Sequence, residues 1–235
     1  MKIKLLFSFI CLGFIGSVYS MSETPDEMLL IGAGEINPET ERIIKPGDID
    51  IIRKAIAKKA NINAKDEFGR TALIIAVLQD NEPIVKLLLD NGANPNLYND
   101  SNDTALLVAA RKCYVYIAKS LLDHGANPDL QDESGFTALM WAVRVNFKAI
   151  MIQKFLVKLL LDKGADLDIK NKFNQTALDI AKEEKNKDIT EQIENEYEKR
   201  RQKVHKEVVE NSCLPKDLAG IVSEYVVYPK KEKTK

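Results

Sequence analysis

Residues able to do covalent or metal chemistry are scarce in this chain, and none stands at a spacing that would let it act. There are two histidines, His124 and His205, and three cysteines, Cys11, Cys113 and Cys213. That supply is too small and too scattered for a His/Cys metal cluster or a disulfide framework, so free thiols are expected. No nucleophile has a base at motif spacing, and no His-Glu-x-x-His or P-loop string occurs. "GAGEIN" (32–37) holds a Gly-x-Gly but lacks the third glycine and a clear preceding strand, which makes a poor phosphate cradle. Acid pairs such as Glu183-Glu184 sit among lysines, the pattern of a solvated helix face. The expectation is no enzyme, no metal and no small-molecule cofactor. What remains is recognition chemistry: phenylalanines, arginines and acids that differ from one to the next of a set of turns recurring at fixed intervals.

Those intervals come from a repeat. "NGANPNLYNDSNDTALLVAA" (91–110) returns as "HGANPDLQDESGFTALMWAV" (124–143). Thr71 to Thr104, Thr104 to Thr137 and Ala93 to Ala126 are each 33 residues. A fixed period of that size marks a stacked array. Thr176 follows Thr137 by 39, so six residues are inserted, around "RVNFKAIMIQKF" and ahead of Gly164-Ala165. At the front, "GDIDIIRKAIAKKANIN" aligns with the second half of a unit only, with Ala60 matching Ala93, which predicts a half-repeat cap.

Within a unit, the Thr of "TALIIA", "TALLVA", "TALMWA" and "TALDIA" is placed to cap a short helix, and small Ala side chains let neighbouring helices approach. A second helix carries Pro83 in its first turn and an apolar stripe of Ile84, Val85, Leu87, Leu88 and Leu89. Gly92, Gly125 and Gly164 read as its left-handed end; Lys59 holds that place in the cap, implying a looser ending. Between units, four-residue turns begin with Asp66, Asn99, Asp132 or Asn171 and end with Gly69, Asn102, Gly135 or Asn174. Asp and Asn bond their own backbone in tight turns, and Gly and Asn tolerate positive φ.

The strings "GRTALIIA", "NDTALLVA", "GFTALMWA" and "NQTALDIA", with "GANPN", "GANPD" and "GADLD", resemble the ankyrin repeat over roughly residues 47–200. The family's Pro is replaced by Ala throughout, and its His by Ile74, Leu107, Met140 and Asp179. The resemblance implies an all-α ankyrin-repeat solenoid of helix-turn-helix units with hairpin-type loops, about four repeats plus the cap. It also implies a protein partner bound at the loop tips and on the concave inner helices. Carried over by position, the tips are Glu67, Phe68 and Arg70; Asp100, Ser101 and Asp103; Glu133, Ser134 and Phe136; and Lys172, Phe173 and Gln175. The variable inner-helix pairs are Leu78-Gln79, Arg111-Lys112 and Arg144-Val145. Phe68 and Phe136 are candidate aromatic anchors, Phe173 a weaker one. Trp141 and His124 read as structural, one packed between helices and one at a helix end.

Composition is ordinary, 45% hydrophobic and 29% charged, with a net charge of −1 and no basic stripe for nucleic acid. The first twenty residues, "MKIKLLFSFICLGFIGSVYS", place Lys2 and Lys4 before an apolar run from Leu5 to Ile15, the layout of a secretory signal peptide. The expectation is export, periplasmic or secreted, with a cytoplasmic chain if translation starts at Met21 and membrane attachment only through an uncleaved leader. Without the leader the balance is 34 − 2 = 32 basic against 35 acidic residues, or −3. Residues 21–46 read as a linker, 47–203 as the array and 204–235 as a helical tail. In the tail Leu214, Leu218, Ile221, Val222 and Tyr225 fall on one helical side, and the Leu214-Pro215-x-acid-Leu218 entry resembles the opening of an F-box. That leaves a terminal cap, or an exported effector recruiting a ubiquitin-ligase adaptor; an exported hydrolase would need a site assembled only in three dimensions. A monomer is expected.

Overall fold

The computed structural model describes residues 24–36, 43–144 and 150–211. The leader, Val145 and the tail residues Leu214, Pro215, Leu218, Ile221 and Tyr225 lie outside the described residues. Within them, the chain forms five helix pairs: α1 (Pro25–Ala33) with α2 (Ile49–Ala57), α3 (Ala72–Leu78) with α4 (Glu82–Asp90), α5 (Ala105–Lys112) with α6 (Val115–Asp123), α7 (Ala138–Arg144) with α8 (Ile150–Asp162), and α9 (Ala177–Glu183) with α10 (Lys187–Asn211). Between α1 and α2 runs an antiparallel ribbon of β1 (Glu35–Ile36) and β2 (Ile43–Lys45). Odd helices pack on odd neighbours and even on even, so the pairs stack into two layers with the core between them.

The short helices α3, α5 and α7 are buried almost all round because each is enclosed by its partner and two neighbours. Ala72 through Val77 are all buried, as are Ala105 through Ala110. Their threonines cap as expected: Thr71, Thr104, Thr137 and Thr176 accept from the backbone N–H of Ile74, Leu107, Met140 and Asp179. Alanines four residues apart (Ala72 and Ala76, Ala138 and Ala142, Ala177 and Ala181) are fully packed, and a larger side chain there would force the layers apart. The even helices are one-sided. In α4, Ile84, Val85, Leu88 and Leu89 are buried while Glu82, Lys86 and Asp90 face solvent.

The recurring polar strings turn out to be a ladder. Asn63, Asn96 and Asp129 each use a side-chain oxygen to accept the backbone N–H of the following unit, from Asn94, Asn127 and Asp166 at 2.7–2.8 Å. Every unit needs the same acceptor at the same place, so the same letters return.

Three expectations change. Residues 21–46 are not simply a linker: Thr24 and Glu27 form a capping box that starts α1, and α1 buries Leu29 and Ala33 against α2 and α3. The half-repeat cap therefore has its first helix. Lys59 is not a looser ending, since it takes the left-handed conformation (φ 61) that Gly92 takes in the next unit. The boundary at 203/204 is not a break either, because α10 continues through it to Asn211.

α10 closes the far end of the stack. Ile189 and Ile193 are fully buried, and the Tyr197 hydroxyl donates to the Leu167 carbonyl at 2.8 Å. Arg200 donates to the carbonyls of Leu161 (3.0 Å), in the last turn of α8, and Ala165 (2.8 Å), in the loop that follows, so α10 is tied to the end of α8. The insertion lengthens α8 to 13 residues against nine in α4 and α6. It also brings in Gln153, which is buried and donates to the Ala142 and Val143 carbonyls at the end of α7 while its own oxygen faces Asn186. Among the described residues no helix is long and apolar enough to cross a membrane.

Candidate functional site

The tips are built alike and end in different side chains. In each turn the first residue accepts two backbone N–H bonds through one side-chain oxygen: Asp66 from Phe68 and Arg70, Asn99 from Ser101 and Asp103, Asp132 from Ser134 and Phe136, Asn171 from Phe173 and Gln175. The last residue has positive φ in every case, from 52 at Asn102 to 78 at Gly135. Adjacent tips are tied by backbone bonds from Asp100 to the Phe68 carbonyl and from Lys172 to the Ser134 carbonyl. These tips form a fixed edge from which Glu67, Asp100, Ser101, Glu133, Ser134, Lys172 and Phe173 project into solvent. Phe173 is the most exposed of the tip aromatics, at 68%. Phe68 lies at the border of exposure beneath the Arg70 guanidinium, 4.7 Å from its ring centre, while Arg70 also pairs with Asp66 at 2.7 Å.

Phe136 is a correction. It was expected among the tip contacts, and it is 3% exposed. Its position is that of Arg70, Asp103 and Gln175, one residue before the capping threonine, where the chain turns inward. Trp141, one turn into α7, meets it with ring centres 5.0 Å apart, and the tryptophan N–H donates to Asp132 at 2.8 Å. The ring is therefore a platform under the surface rather than an anchor above it.

That position and the one eight residues later form a contact in three successive units, with different chemistry each time. Asp103 accepts two bonds from Arg111, at 3.0 and 2.7 Å. Phe136 lies 5.2 Å from the guanidinium carbon of Arg144. Gln175 donates to Glu183 at 2.7 Å. Arg111 and Arg144 also approach the Trp141 ring, at 5.6 and 5.7 Å, so the middle of the inner-helix face is one cluster of two arginines around an indole. Asp103 is buried and spent on Arg111, which removes it as an independent contact. Gln79 is similarly engaged, accepting from Gly47 at 2.8 Å and so tying the turn between the ribbon and α2 to the end of α3. Leu78 is half-buried against the core, Lys112 half-buried, and Arg144 exposed.

Sequence reasoning did not place Trp141, Asp132 or Glu183 in this cluster. The signal was present as a second regularity: an eight-residue separation, repeated inside the longer period, linking Asp103 to Arg111, Phe136 to Arg144 and Gln175 to Glu183.

Titration adds little chemistry. Burial pushes the Cys113 thiol up, which disfavours thiolate. Burial and the neighbouring Glu82 raise Asp80. A hydrogen bond from Lys163 lowers Asp123, a surface group. His124 sits at the end of α6 with Nδ1 2.8 Å from the Ser120 carbonyl and Nε2 3.2 Å from Asp90, a structural tie between α6 and α4. Among the described residues no group of three or more His, Cys, Asp or Glu is arranged to hold a metal ion.

A stack of units that spends its repeated residues on holding itself together, and its changing ones on one face and one edge, defines a helical-repeat recognition scaffold. The chain belongs to the ankyrin-repeat family: the family model described as ankyrin repeats (3 copies) matches residues 42–132 and again 117–202. A curated ankyrin repeat protein of Rickettsia bellii (strain RML369-C) is 51% identical over 39 residues, which is 17% of this chain and 24% of that protein. The matched stretch thus spans about a quarter of that relative's length. Arrays of this family are typically protein-interaction modules without enzymatic activity.

Proposed function

We propose that this chain binds one protein partner across the tips and the inner-helix face of the units that open at Thr71, Thr104, Thr137 and Thr176. One observation carries the reading. At the residue before each capping threonine and the eighth after it, the side chains change from unit to unit while the turns and ladder around them do not. Residues that stabilise the stack have to repeat, so those that change and reach solvent are the ones available to a partner. The contact set comprises Lys112, Arg144, Glu67, Asp100, Ser101, Glu133, Ser134, Lys172 and Phe173, with Phe136 and Trp141 as support.

The test is affinity capture with mass spectrometry on the intact chain and on a variant carrying Lys112→Glu, Glu133→Lys and Phe173→Ala. A partner retained by the first and lost by the second supports the reading. Equal capture by both, with circular dichroism showing both folded, places binding elsewhere and ends it.

Two finer readings rest on the sequence. The leader directs export; a reporter fused after Ser20 that stays in the cytoplasm would remove that reading. The tail from Leu214 serves as an F-box-like recruiter rather than as a cap. What favours recruitment is that α10 already covers the end of the stack with Ile189, Ile193 and Tyr197. Loss of adaptor capture on Leu214→Ala with Leu218→Ala supports recruitment, and no capture by the intact chain ends it.

A further inference from the structure

Arg144 is an arginine prepared for an anion that its own repeat does not provide. In the preceding unit, Arg111 occupies the same register and is satisfied in place, holding both oxygens of Asp103. In the unit of Arg144 the matching position is Phe136, and the guanidinium lies over two rings, 5.2 Å from Phe136 and 5.7 Å from Trp141. Among the described residues no carboxylate forms an ion pair with it, and the stretch that follows, Val-Asn-Phe-Lys-Ala (145–149), contains no acid. The platform is firm: Phe136 is 3% exposed, and the indole is fixed by its bond to Asp132. A planar cation lying over rings keeps the N–H groups at its rim for hydrogen bonding, and much of its ordering cost is already met.

We infer that Arg144 receives a carboxylate from the partner, an Asp or Glu side chain in a segment laid over α5 and α7, bound through two parallel N–H···O bonds. The missing Asp of this repeat is thus supplied from outside, in the arrangement that Arg111 shows from inside. A monoanion suits the surroundings. Arg111 is neutralised by Asp103 on one side, and Glu183 in the next unit is negative on the other, so a dianionic phosphate meets added repulsion. This inference rests on the inner-face reading and narrows it to one residue and one chemical group.

The test pans a phage-displayed library of random peptides against the intact chain. Affinities of the recovered peptides are then measured by fluorescence anisotropy for wild type, Lys112→Glu, Arg144→Gln and Arg144→Lys. Expected are peptides enriched in Asp or Glu. One acid in each should lose about tenfold or more in affinity on Glu→Gln, the scale of one charge-assisted bidentate bond. Arg144→Gln removes the same factor, and the two changes together cost no more than either alone. Arg144→Lys recovers only part, because a lysine keeps the charge and loses the planar fork. Thermal melts by circular dichroism check the fold, and the double-mutant cycle separates coupling from any general loss.

Peptides insensitive to Lys112→Glu and Arg144→Gln alike bind off this face, and the inner-face reading falls with the inference. Peptides sensitive to Lys112→Glu and indifferent to Arg144→Gln leave that reading standing and overturn this one. No enrichment of acidic residues, or tighter binding when the key acid is replaced by phosphoserine, overturns it as well.

Discussion

Phe136 and Phe173 offer a direct check on which aromatics support the surface and which lie on it. Phe136 immediately precedes its capping threonine, Thr137, and Phe173 stands three places before Thr176. Phe136 is 3% exposed and Phe173 is 68% exposed. Truncating a buried phenylalanine to alanine costs about 3–5 kcal/mol in lost transfer energy and cavity. Within that figure, the tilted contact with Trp141 contributes about 0.5–1.5 kcal/mol. The Arg144 cation contributes about 0.5–1 kcal/mol, the value for an exposed site. Phe173→Ala removes little buried surface and should stay within about 0.5 kcal/mol of wild type. The expected gap of roughly 3 kcal/mol is a large part of the 5–15 kcal/mol that holds a typical domain together. Urea denaturation followed by far-ultraviolet circular dichroism measures it, and Trp141, the one tryptophan of the chain, reports the affected unit by fluorescence. Coincident curves from the two probes show the array unfolding as a whole; a fluorescence curve shifted to lower urea shows the α7–α8 unit opening first. If Phe136→Ala costs less than about 1 kcal/mol more than Phe173→Ala, the buried platform is wrong, and the account of Arg144 loses its base.

Other outcomes follow from particular contacts. Gln153→Leu keeps the volume but strips two donors from the carbonyls ending α7, and should cost about 1–3 kcal/mol in the same denaturation assay; a neutral result would mean that those carbonyls find other partners. In a chain with Cys11 and Cys213 changed to Ser, burial and the raised thiol pKa of Cys113 should keep alkylation by iodoacetamide far slower than for a free cysteine until denaturant is added. Native labelling at the free-thiol rate would contradict its placement. Asp123 has a lowered pKa because Lys163 donates to it, so its stabilisation is present above the unfolded carboxylate pKa and is lost as pH falls through the folded value. Since Asp123 is 41% exposed, Lys163→Met should cost no more than about 1 kcal/mol at neutral pH and nothing in acid; a loss that persists in acid would point to packing instead.

How much was legible depended on whether a residue answered to its own unit or to a neighbour. The capping threonines, the Asx turns and the amphipathic outer helices are local devices, and each is found where its letters stand. α1 was hidden because a helix start and a linker use the same residues: Thr24, Pro25, Asp26 and Glu27 are a capping box with proline in the first turn. Its glycines misled in the same direction. A side chain at Gly32 would press on Ile51 and Ile52 of α2, so this glycine serves close packing and not freedom. The ankyrin resemblance puts Phe136 on a loop tip because it shares the position of Arg70, Asp103 and Gln175. Only Trp141 five residues on, meeting it in space, gives the ring a reason to be inside. Gln153 lies within the stretch that carries the insertion, where the period no longer says what faces what.

The same division between local and shared duties is the reason the proposed contact surface falls where it does. The ladder from Asn63, Asn96 and Asp129 and the turns from Asp66 through Asn171 join one unit to the next, so a change there harms two units at once. The alanines of the odd helices are held by volume, since any growth separates the layers. A residue just before the capping threonine is under neither constraint. Its backbone is committed to the turn through bonds such as that from Asp66 to Arg70, but its side chain has a choice of partner: Arg70 turns back to Asp66, and Asp103, Phe136 and Gln175 meet the residue eight places later. Asp with Arg, Phe with Arg and Gln with Glu are three solutions to that two-residue problem, and each leaves the rest of its unit unaltered. Asp103 with Arg111 is complete in hydrogen bonds and in charge, and Gln175 with Glu183 is complete in hydrogen bonds, with its carboxylate open to water. Phe136 with Arg144 is complete in packing and incomplete in charge, and that imbalance is what a partner can answer.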